Sequence, residues 1–172
     1  MAMAAWRDEL VSGRSELRPV APQALHLTLV FLGWQAESDV PRISELAAEA
    51  VAGLASARLA PTAVKPIPPR RPRLFALDLA EEDGAATAVQ GALSRVLEQA
   101  GLYRPEKRPF WPHITLARVK RGMRADPLEP GSLPPPFEAA DLTLYRSTLR
   151  PQGAVYEALA GWSLRGHREF GD

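Results

Sequence analysis

Apolar and polar residues alternate along two stretches of the chain, residues 25–32 and 112–120. A period of two residues is typical of a β-strand that buries one face. Short runs of the same strand-like character, bounded by turn residues, predict two further pairs of strands. These four strands are expected at 58–65 and 73–79, on either side of a proline-rich segment, and at 140–149 and 155–164, joined through Arg150–Gly153.

Helices are predicted where apolar residues recur every three or four positions. A first helix is expected over Met3–Val11, although its start is not marked by a clear capping residue. A second begins after Ser38, a suitable N-cap, with Pro41 in its first turn; its apolar positions are Ile43, Leu46, Ala47, Ala50, Val51 and Leu54. A third is expected over Asp83–Ala100, with Gly101 as its C-terminal stop.

Both alternating strands contain the tetrapeptide His-x-Thr-Leu, once at His26 and Thr28 and again at His113 and Thr115. These are two of the three histidines in the chain. Because side chains alternate across a strand, each histidine lies on the same face as its threonine, and the intervening leucine or isoleucine lies on the other. Polar side chains in such strands are costly to bury, so their repetition indicates a function.

Two such faces, opposed across a cleft, would suit hydrolysis of a phosphodiester. One imidazole can take a proton from the attacking water while the other gives a proton to the leaving oxygen, and threonine hydroxyls can donate to the phosphoryl oxygens. An unperturbed pKa of about 6.5 lets one histidine be neutral and the other charged. Neither motif has a carboxylate or a second histidine at metal-ligand spacing, so no metal is expected. A lone histidine on a strand is more often structural, which is the competing interpretation.

Composition limits the remaining possibilities. At 172 residues and 46% apolar, the chain is expected to be a single domain, and it has no apolar stretch long enough for a membrane span. The absence of cysteine and of a leader peptide predicts a cytoplasmic protein. A net charge of +1 does not indicate a general nucleic-acid binder, but basic residues cluster at Lys65–Arg73, Arg104–Pro109 and Ala117–Arg124.

A weak internal repeat relates the segments that lead into the two motifs. In the second copy a strand precedes the helix, whereas the first copy begins within its helix, so we expect that a strand normally found before Met1 is missing. Its absence would expose a sheet edge able to pair with another chain, although a monomer is the default expectation. Residues 165–172 are expected to form a loose tail, in which His167 has no role.

The chain resembles the 2H phosphoesterase superfamily, and within it the bacterial RNA 2′,3′-cyclic phosphodiesterases, also called 2′-5′ RNA ligases. The similar segments are LHLTLVFLG, RPFWPHITLAR and LTLYRSTLRPQGAVYEALAGWSL. The resemblance implies an α+β fold of two pseudo-symmetric lobes, each an antiparallel sheet with helices outside, and a central cleft between the two His-x-Thr strands. It also implies opening of a terminal 2′,3′-cyclic phosphate to a 2′-phosphomonoester without a cofactor.

The resemblance further suggests roles for individual residues. His26 would be the general acid, His113 the base, and Thr28 and Thr115 would bind the phosphoryl group, although acid and base could be exchanged. An arginine follows the second motif in similar enzymes, which makes Arg118 a candidate substrate-binding residue. On a regular strand Arg118 would face away from His113, so it would reach the site only if the strand bulged or ended there; the alternative is a surface charge. Phe110 and Trp111 could stack on a terminal base or pack in the core.

Other functions remain open from the sequence. The same four side chains could catalyse the reverse reaction, ligation of RNA through a 2′-5′ bond, because each proton transfer is reversible. A non-catalytic module that binds a nucleotide or an RNA end is a third possibility, although retention of both histidines argues against it. RNA ends and small cyclic nucleotides carry the same reacting group, so both are candidate substrates.

Overall fold

The computed structural model describes residues 3–150 and 153–164. The helices are α1 (Met3–Leu10), α2 (Val40–Val51) and α3 (Ala85–Gln99). The strands are β1 (Leu17–Pro19), β2 (Ala57–Ile67), β3 (Leu74–Glu81), β4 (His113–Val119), β5 (Phe137–Ala139), β6 (Asp141–Arg150) and β7 (Gly153–Ser163). This is the expected α+β class. Among the described helices, none combines the length and apolar character needed to cross a membrane.

The strands form two sheets, one of five strands in the order β1-β4-β3-β2-β5 and one that contains β6 and β7. Strand β4 runs antiparallel to both β1 and β3, and β6 runs antiparallel to β7. The chain divides into two compact units. The first unit contains Met1–Thr28, Leu59–Ala80 and Pro112–Pro136, and the second contains Leu29–Arg58, Glu81–Trp111 and Phe137–Asp172.

The core of the first unit includes side chains from one face of its sheet. Phe75 of β3 and Ala117 of β4 are fully buried, and they cluster with Leu17 of β1. Val11, which follows α1, and Leu128 complete this buried cluster. The burial of apolar residues on one face leaves the other face available for polar side chains.

The core of the second unit is built on α2 and α3, whose apolar positions recur with the helical period. Its buried residues are Ile43, Leu46, Ala47, Val51, Val89, Leu93 and Leu97. Gly101 follows α3 with a φ of 73°, a left-handed conformation that glycine adopts easily, so the predicted stop is confirmed. The predicted N-cap of α2 is wrong: Ser38 lies within a 3-10 turn, Glu37–Asp39, and Asp39 is the residue before the helix.

The predicted strand over 25–32 is also wrong for most of its length. Only Leu27 pairs with a neighbouring strand, at Ile114. A β-strand requires hydrogen-bonded pairing with a neighbour along its length. This segment is paired at a single residue, so its alternating sequence does not form a regular strand. Two three-residue strands, β1 and β5, were not expected. The proposed strand before Met1, the turn residues Pro151 and Gln152, and the 165–172 tail with His167 lie outside the described residues.

Candidate active site

The two His-x-Thr motifs lie side by side in the first unit. Leu27 pairs with Ile114 in an antiparallel bridge, and each is flanked by the histidine and threonine of its motif. Antiparallel register places His26 opposite Thr115 and Thr28 opposite His113. If the alternation of side chains extends one residue to either side of this bridge, all four polar side chains share the face opposite Leu27 and Ile114.

The two motifs approach each other within the first unit. The Leu27–Ile114 bridge makes the two segments immediate neighbours, so their polar residues lie next to each other on the same surface. Directly opposite residues in such a pair have Cβ atoms about 4.5–5.5 Å apart, and diagonal pairs are about 7–8 Å apart. Extended by one residue in each direction, the register of the bridge makes the two histidines a diagonal pair, with a threonine opposite each of them.

The motif residues differ in burial between the two faces. Ile114 and Leu116 are buried, at 6% and 0% exposure. His26, His113 and Thr115 are half-buried and Thr28 is exposed. The polar face can therefore be reached by a substrate, while the apolar face packs into the protein.

His26 has surroundings that change its acidity. Burial lowers the pKa of His26 below its ordinary value, and a hydrogen bond to the backbone carbonyl of Ala24 opposes this effect. Ala24 is itself buried and ends the 3-10 turn Pro22–Ala24, whose backbone is closed by a bond from the Ala24 N–H to the Ala21 carbonyl. The turn thus supplies a fixed acceptor that orients the imidazole.

The turn before His26 is connected to α1 and β4. Arg7 of α1 is 2% exposed, and its guanidinium donates to the carbonyl of Val20 and to the carboxylate of Asp8. The N–H of Val20 in turn donates to the carbonyl of Leu116, at 2.9 Å. Arg7 therefore helps to hold the segment that leads into the first motif against the strand that carries the second.

A β-bulge in β4 changes the direction of the side chains beyond the second motif. Against β3, Phe75 pairs with Ala117, and the next residue, Ala76, pairs with Thr115. The register therefore skips Leu116, and β4 contains one more residue than β3 over this stretch. This is the kind of irregularity that the sequence analysis required for Arg118 to share a face with the motif.

The register with β3 places Arg118 on the face of the histidines. The pairs on this face are Leu74 with Arg118, Ala76 with Thr115, and Asp78 with His113. Alternate residues of β3 share a face, and residues paired across strands also share a face. Arg118 is exposed and lies on the same face as Thr115 and His113.

Arg18 lies on this face as well, and the sequence motifs gave no indication of it. It pairs with Arg118 across β1 and β4, while its neighbour Leu17 pairs with Val119. Leu17 is 4% exposed and Val119 packs against the same cluster, so Arg18 faces away from this core. The signal that identifies Arg18 is the strand register, which is not visible in the local sequence.

Asp78 is a second residue that the sequence analysis missed. Its carboxylate accepts from the ammonium of Lys65 at 2.7 Å and from the hydroxyl of Thr62 at 2.8 Å. It pairs in register with His113, and the next residue, Leu79, donates its N–H to the carbonyl of Pro112 at 3.1 Å. The second motif is therefore bordered by an ion pair between β2 and β3.

Phe110 and Trp111 are half-buried residues of the second unit. Their proposed stacking on a base stays a prediction. Among the described residues there is no group of three or more histidine, aspartate or glutamate side chains placed to hold a metal ion.

An α+β fold with two neighbouring His-x-Thr motifs indicates the class of this protein. The chain belongs to the 2′-5′ RNA ligase superfamily, whose family model matches residues 2–150. Curated relatives include two proteins named RNA 2′,3′-cyclic phosphodiesterase. The one from Thermus thermophilus is 35% identical, with 93% of this chain and 85% of that protein covered. The one from Aeropyrum pernix is 29% identical, with 91% and 92% covered.

Solved structures show the same fold. The crystal structure of TT0787 from Thermus thermophilus has a TM-score of 0.77 and 31% sequence identity, and the match covers 96% of this chain and 91% of that one. The E. coli protein LigT, crystallised in complex with NADP+, has a TM-score of 0.72 and 24% identity, with 96% and 94% covered. The similarity to LigT supports the assignment of the fold and nothing further.

Proposed function

We propose that this protein is an RNA 2′,3′-cyclic phosphodiesterase that opens a terminal cyclic phosphate to a 2′-phosphomonoester without a metal ion. The observation that supports the proposal most directly is the Leu27–Ile114 bridge, because it makes the two His-x-Thr motifs neighbours. The names of the curated relatives support the choice of reaction.

The arrangement suits in-line displacement at phosphorus. An oxygen of water forms a bond to phosphorus while the bond from phosphorus to the 3′ oxygen breaks. One histidine takes the proton of the water, and the other supplies a proton to the departing 3′ oxygen. In a regular antiparallel pair, diagonal Cβ atoms are about 7–8 Å apart, a separation that would leave space for a phosphoryl group between two imidazole rings.

Thr28 and Thr115 hold the phosphoryl group in this mechanism. Each lies opposite the histidine of the other motif, so a hydroxyl is available on both sides of the space between the imidazoles. Their hydroxyl groups donate to the non-bridging oxygens, on which negative charge is concentrated as the fifth bond to phosphorus forms. The cationic side chain of Arg118 on the same face adds attraction for the anionic substrate.

The roles of acid and base belong to the histidine pair. The lowered pKa of His26 favours its neutral form in the free protein, which suits the base more than the acid. The resemblance implies the reverse assignment. A bound phosphate anion favours the protonated imidazole, so His26 can act as the acid once substrate is present. A bell-shaped pH profile is therefore to be assigned to both groups together.

The test uses a short oligoribonucleotide that ends in a 2′,3′-cyclic phosphate, incubated with an excess of EDTA. His26→Ala and His113→Ala should each lower kcat by about 10²–10⁴, because each removes one proton transfer. The chain's third histidine provides the matched control, and His167→Ala should retain full activity. Chromatography against authentic 2′- and 3′-phosphates should identify the 2′-phosphomonoester as the product.

Three outcomes would count against the proposal. Full activity in either motif variant would reject the paired acid and base. Loss of wild-type activity in EDTA, with recovery on addition of a divalent cation, would show that a metal takes part. Binding of the RNA end without turnover by the wild-type protein would favour the non-catalytic binding module.

A further inference from the structure

Asp78 is a carboxylate within the otherwise apolar middle of β3. Its neighbours Leu77 and Leu79 are 0% and 4% exposed, so the side chain of Asp78 lies on the face opposite theirs. That side chain is only 17% exposed. A charged group in such a place loses much of its hydration, which costs free energy unless other groups interact with it. The groups around Asp78 therefore indicate what it does.

Asp78 lies directly opposite His113 on the adjacent strand β4. The N–H of Leu79 donates to the carbonyl of Pro112 at 3.1 Å, so these two neighbouring residues share a backbone hydrogen bond. Bonded and non-bonded backbone pairs alternate along an antiparallel ladder, so Asp78 and His113 fall in the second kind, in which opposed side chains are closer. Cβ atoms of directly opposite residues are about 4.5–5.5 Å apart. A hydrogen bond between an imidazole and a carboxylate can span this separation.

Strand β2 holds the carboxylate of Asp78 in place. Its Oδ2 accepts from the ammonium of Lys65 at 2.7 Å and from the hydroxyl of Thr62 at 2.8 Å. The same hydroxyl lies 3.2 Å from the backbone carbonyl of Asp78. An ionised carboxylate offers about four lone-pair sites on its two oxygens, so these contacts are compatible with a further bond from an imidazole N–H. The two partners on β2 limit rotation of the carboxylate and so give it a fixed direction.

We propose that Asp78 is a positioning residue for His113: its carboxylate accepts one ring N–H and so fixes the orientation and the tautomer of the imidazole. This inference rests on the proposed function, since it takes His113 to be one of the two proton-transfer groups. When one ring nitrogen carries the proton that is bonded to a carboxylate, the other nitrogen is an acceptor directed toward the substrate. Such a ring suits removal of a proton from water, and the carboxylate stabilises the imidazolium that forms.

The two motif histidines are then held by different kinds of acceptor. His26 is bonded to the backbone carbonyl of Ala24, which is neutral, whereas a carboxylate lies opposite His113. Among the carboxylates of the described residues, register pairing with a motif residue is found for Asp78. This difference in charge gives a physical basis for unlike roles of the two imidazoles in one reaction.

Kinetics of Asp78→Asn test the proposal, because asparagine keeps the size of the side chain and removes its charge. On an oligoribonucleotide with a terminal cyclic phosphate, kcat should fall by about tenfold or more, the effect of losing a hydrogen bond to a charged group. KM should stay within about twofold, because Asp78 does not touch the substrate. The bell-shaped pH profile of kcat/KM should move to lower pH, since loss of a nearby negative charge favours release of a proton from an imidazole. Lys65, Arg118 and His26, other charged or titratable groups on this face, are unchanged in the variant.

Two control variants separate positioning from a purely structural ion pair. Glu82 directly follows β3 and pairs with Arg58 of β2 at 3.0 Å, but it lies beyond the last register pair with β4. Glu82→Gln should therefore leave kcat and the pH profile unchanged. Lys65→Met removes the ion pair and keeps the Asp78 carboxylate, so kcat should fall by less than about fivefold. Equal falls in kcat for Lys65→Met and Asp78→Asn would overturn the proposal.

A measurement without turnover separates this proposal from the proposed function. Isotope-edited NMR of the histidine nitrogens reports the tautomer of each neutral ring, and the His113 signals are assigned by their loss in His113→Ala. One tautomer should predominate in the wild-type protein, and Asp78→Asn should give the other tautomer or a mixture of both. If the wild-type protein does not hydrolyse the cyclic phosphate, the proposed function fails, and the NMR signals still decide whether Asp78 orients His113.

Two further results would contradict the positioning role. One is an unchanged kcat together with an unchanged tautomer in Asp78→Asn. The other is a rise in KM with kcat unchanged, because Asp78 would then act on substrate binding. Thermal unfolding checks that each variant is folded. If Asp78→Asn does not fold, Asp78→Glu decides the result: it retains the charge on a longer side chain, so it should keep the pH profile while losing part of kcat.

Discussion

At the scale of single residues, His26 makes the stability of the folded protein depend on pH. Burial is the main cause of its lowered pKa in the folded protein, whereas in the unfolded chain its pKa returns to about 6.5. Between these two values the unfolded chain binds more protons than the folded protein. The contribution of His26 to stability is therefore fully present above about pH 6.5 and is lost as the pH falls through the folded pKa.

His26→Gln should reduce the loss of stability that occurs on acidification. Glutamine keeps a polar side chain of similar size but does not titrate, so the midpoint of urea unfolding should fall less between about pH 8 and pH 5 than in the wild-type protein. His167→Gln is a suitable control for the removal of a histidine. Identical pH dependence in wild type and His26→Gln would contradict this linkage.

Between elements, the buried Arg7 joins α1 to the segment that precedes the first motif. Its guanidinium satisfies the carbonyl of Val20, whose own N–H is bonded to β4 at Leu116. Loss of the guanidinium leaves the partly buried carbonyl of Val20 without its side-chain donor. The free energy of unfolding depends on this connection.

Arg7→Met preserves the length of the side chain and removes its hydrogen bonds. The free energy of unfolding should fall by about 1–3 kcal/mol, the cost of leaving a buried polar group unpaired. Arg42→Met, an exposed helical arginine, should change stability by less than about 0.5 kcal/mol. Urea unfolding measures both variants, and equal effects would show that the Arg7 bonds contribute little.

Sequence periodicity predicted α2 and α3 because each buries a regular apolar stripe, which is a property of the segment itself. The strand expected over 25–32 was wrong for the opposite reason: pairing depends on a partner, and the segment finds one only at Leu27. Strands β1 and β5, of three residues each, are too short to produce a periodic signal. The bulge at Leu116 is defined against β3, so β4 alone does not reveal it.

The candidate site was predictable to the extent that it is encoded in a local repeat. His26, Thr28, His113 and Thr115 were identified by two copies of one tetrapeptide. Arg18 and Asp78 were missed because their relation to these residues is created by strand register. Local motifs thus indicate which groups react, and the pairing of strands determines which groups accompany them.

Across the chain as a whole, the division into two units separates the proposed catalytic residues from the largest helical core. All four His-x-Thr residues belong to the first unit, whereas the stripes of α2 and α3 pack in the second. Stability and reaction rate can therefore be altered at different places in the chain.

Leu93→Ala should lower stability without lowering kcat. Leu93 is 4% exposed in the core of the second unit, and truncation of a buried leucine costs about 2–5 kcal/mol. Arg95→Ala, at an exposed position of the same helix, serves as the control and should cost less than about 0.5 kcal/mol. Thermal unfolding and kcat should be compared at a temperature at which both variants are folded; a large fall in kcat for Leu93→Ala would contradict the separation.

Leu116 of β4, which has no partner on β3, has a practical consequence for redesign of this enzyme. Before Leu116, odd-numbered positions of β4 point toward the reacting groups, and after it the even-numbered Arg118 does so. A substitution scan that follows odd numbers throughout would alter Ala117 and Val119, which belong to the interior, and would overlook Arg118. Deleting Leu116 would give β4 an unbroken alternation in which Thr115 and this arginine still share a face, so a shortened strand would keep the guanidinium beside the reacting groups.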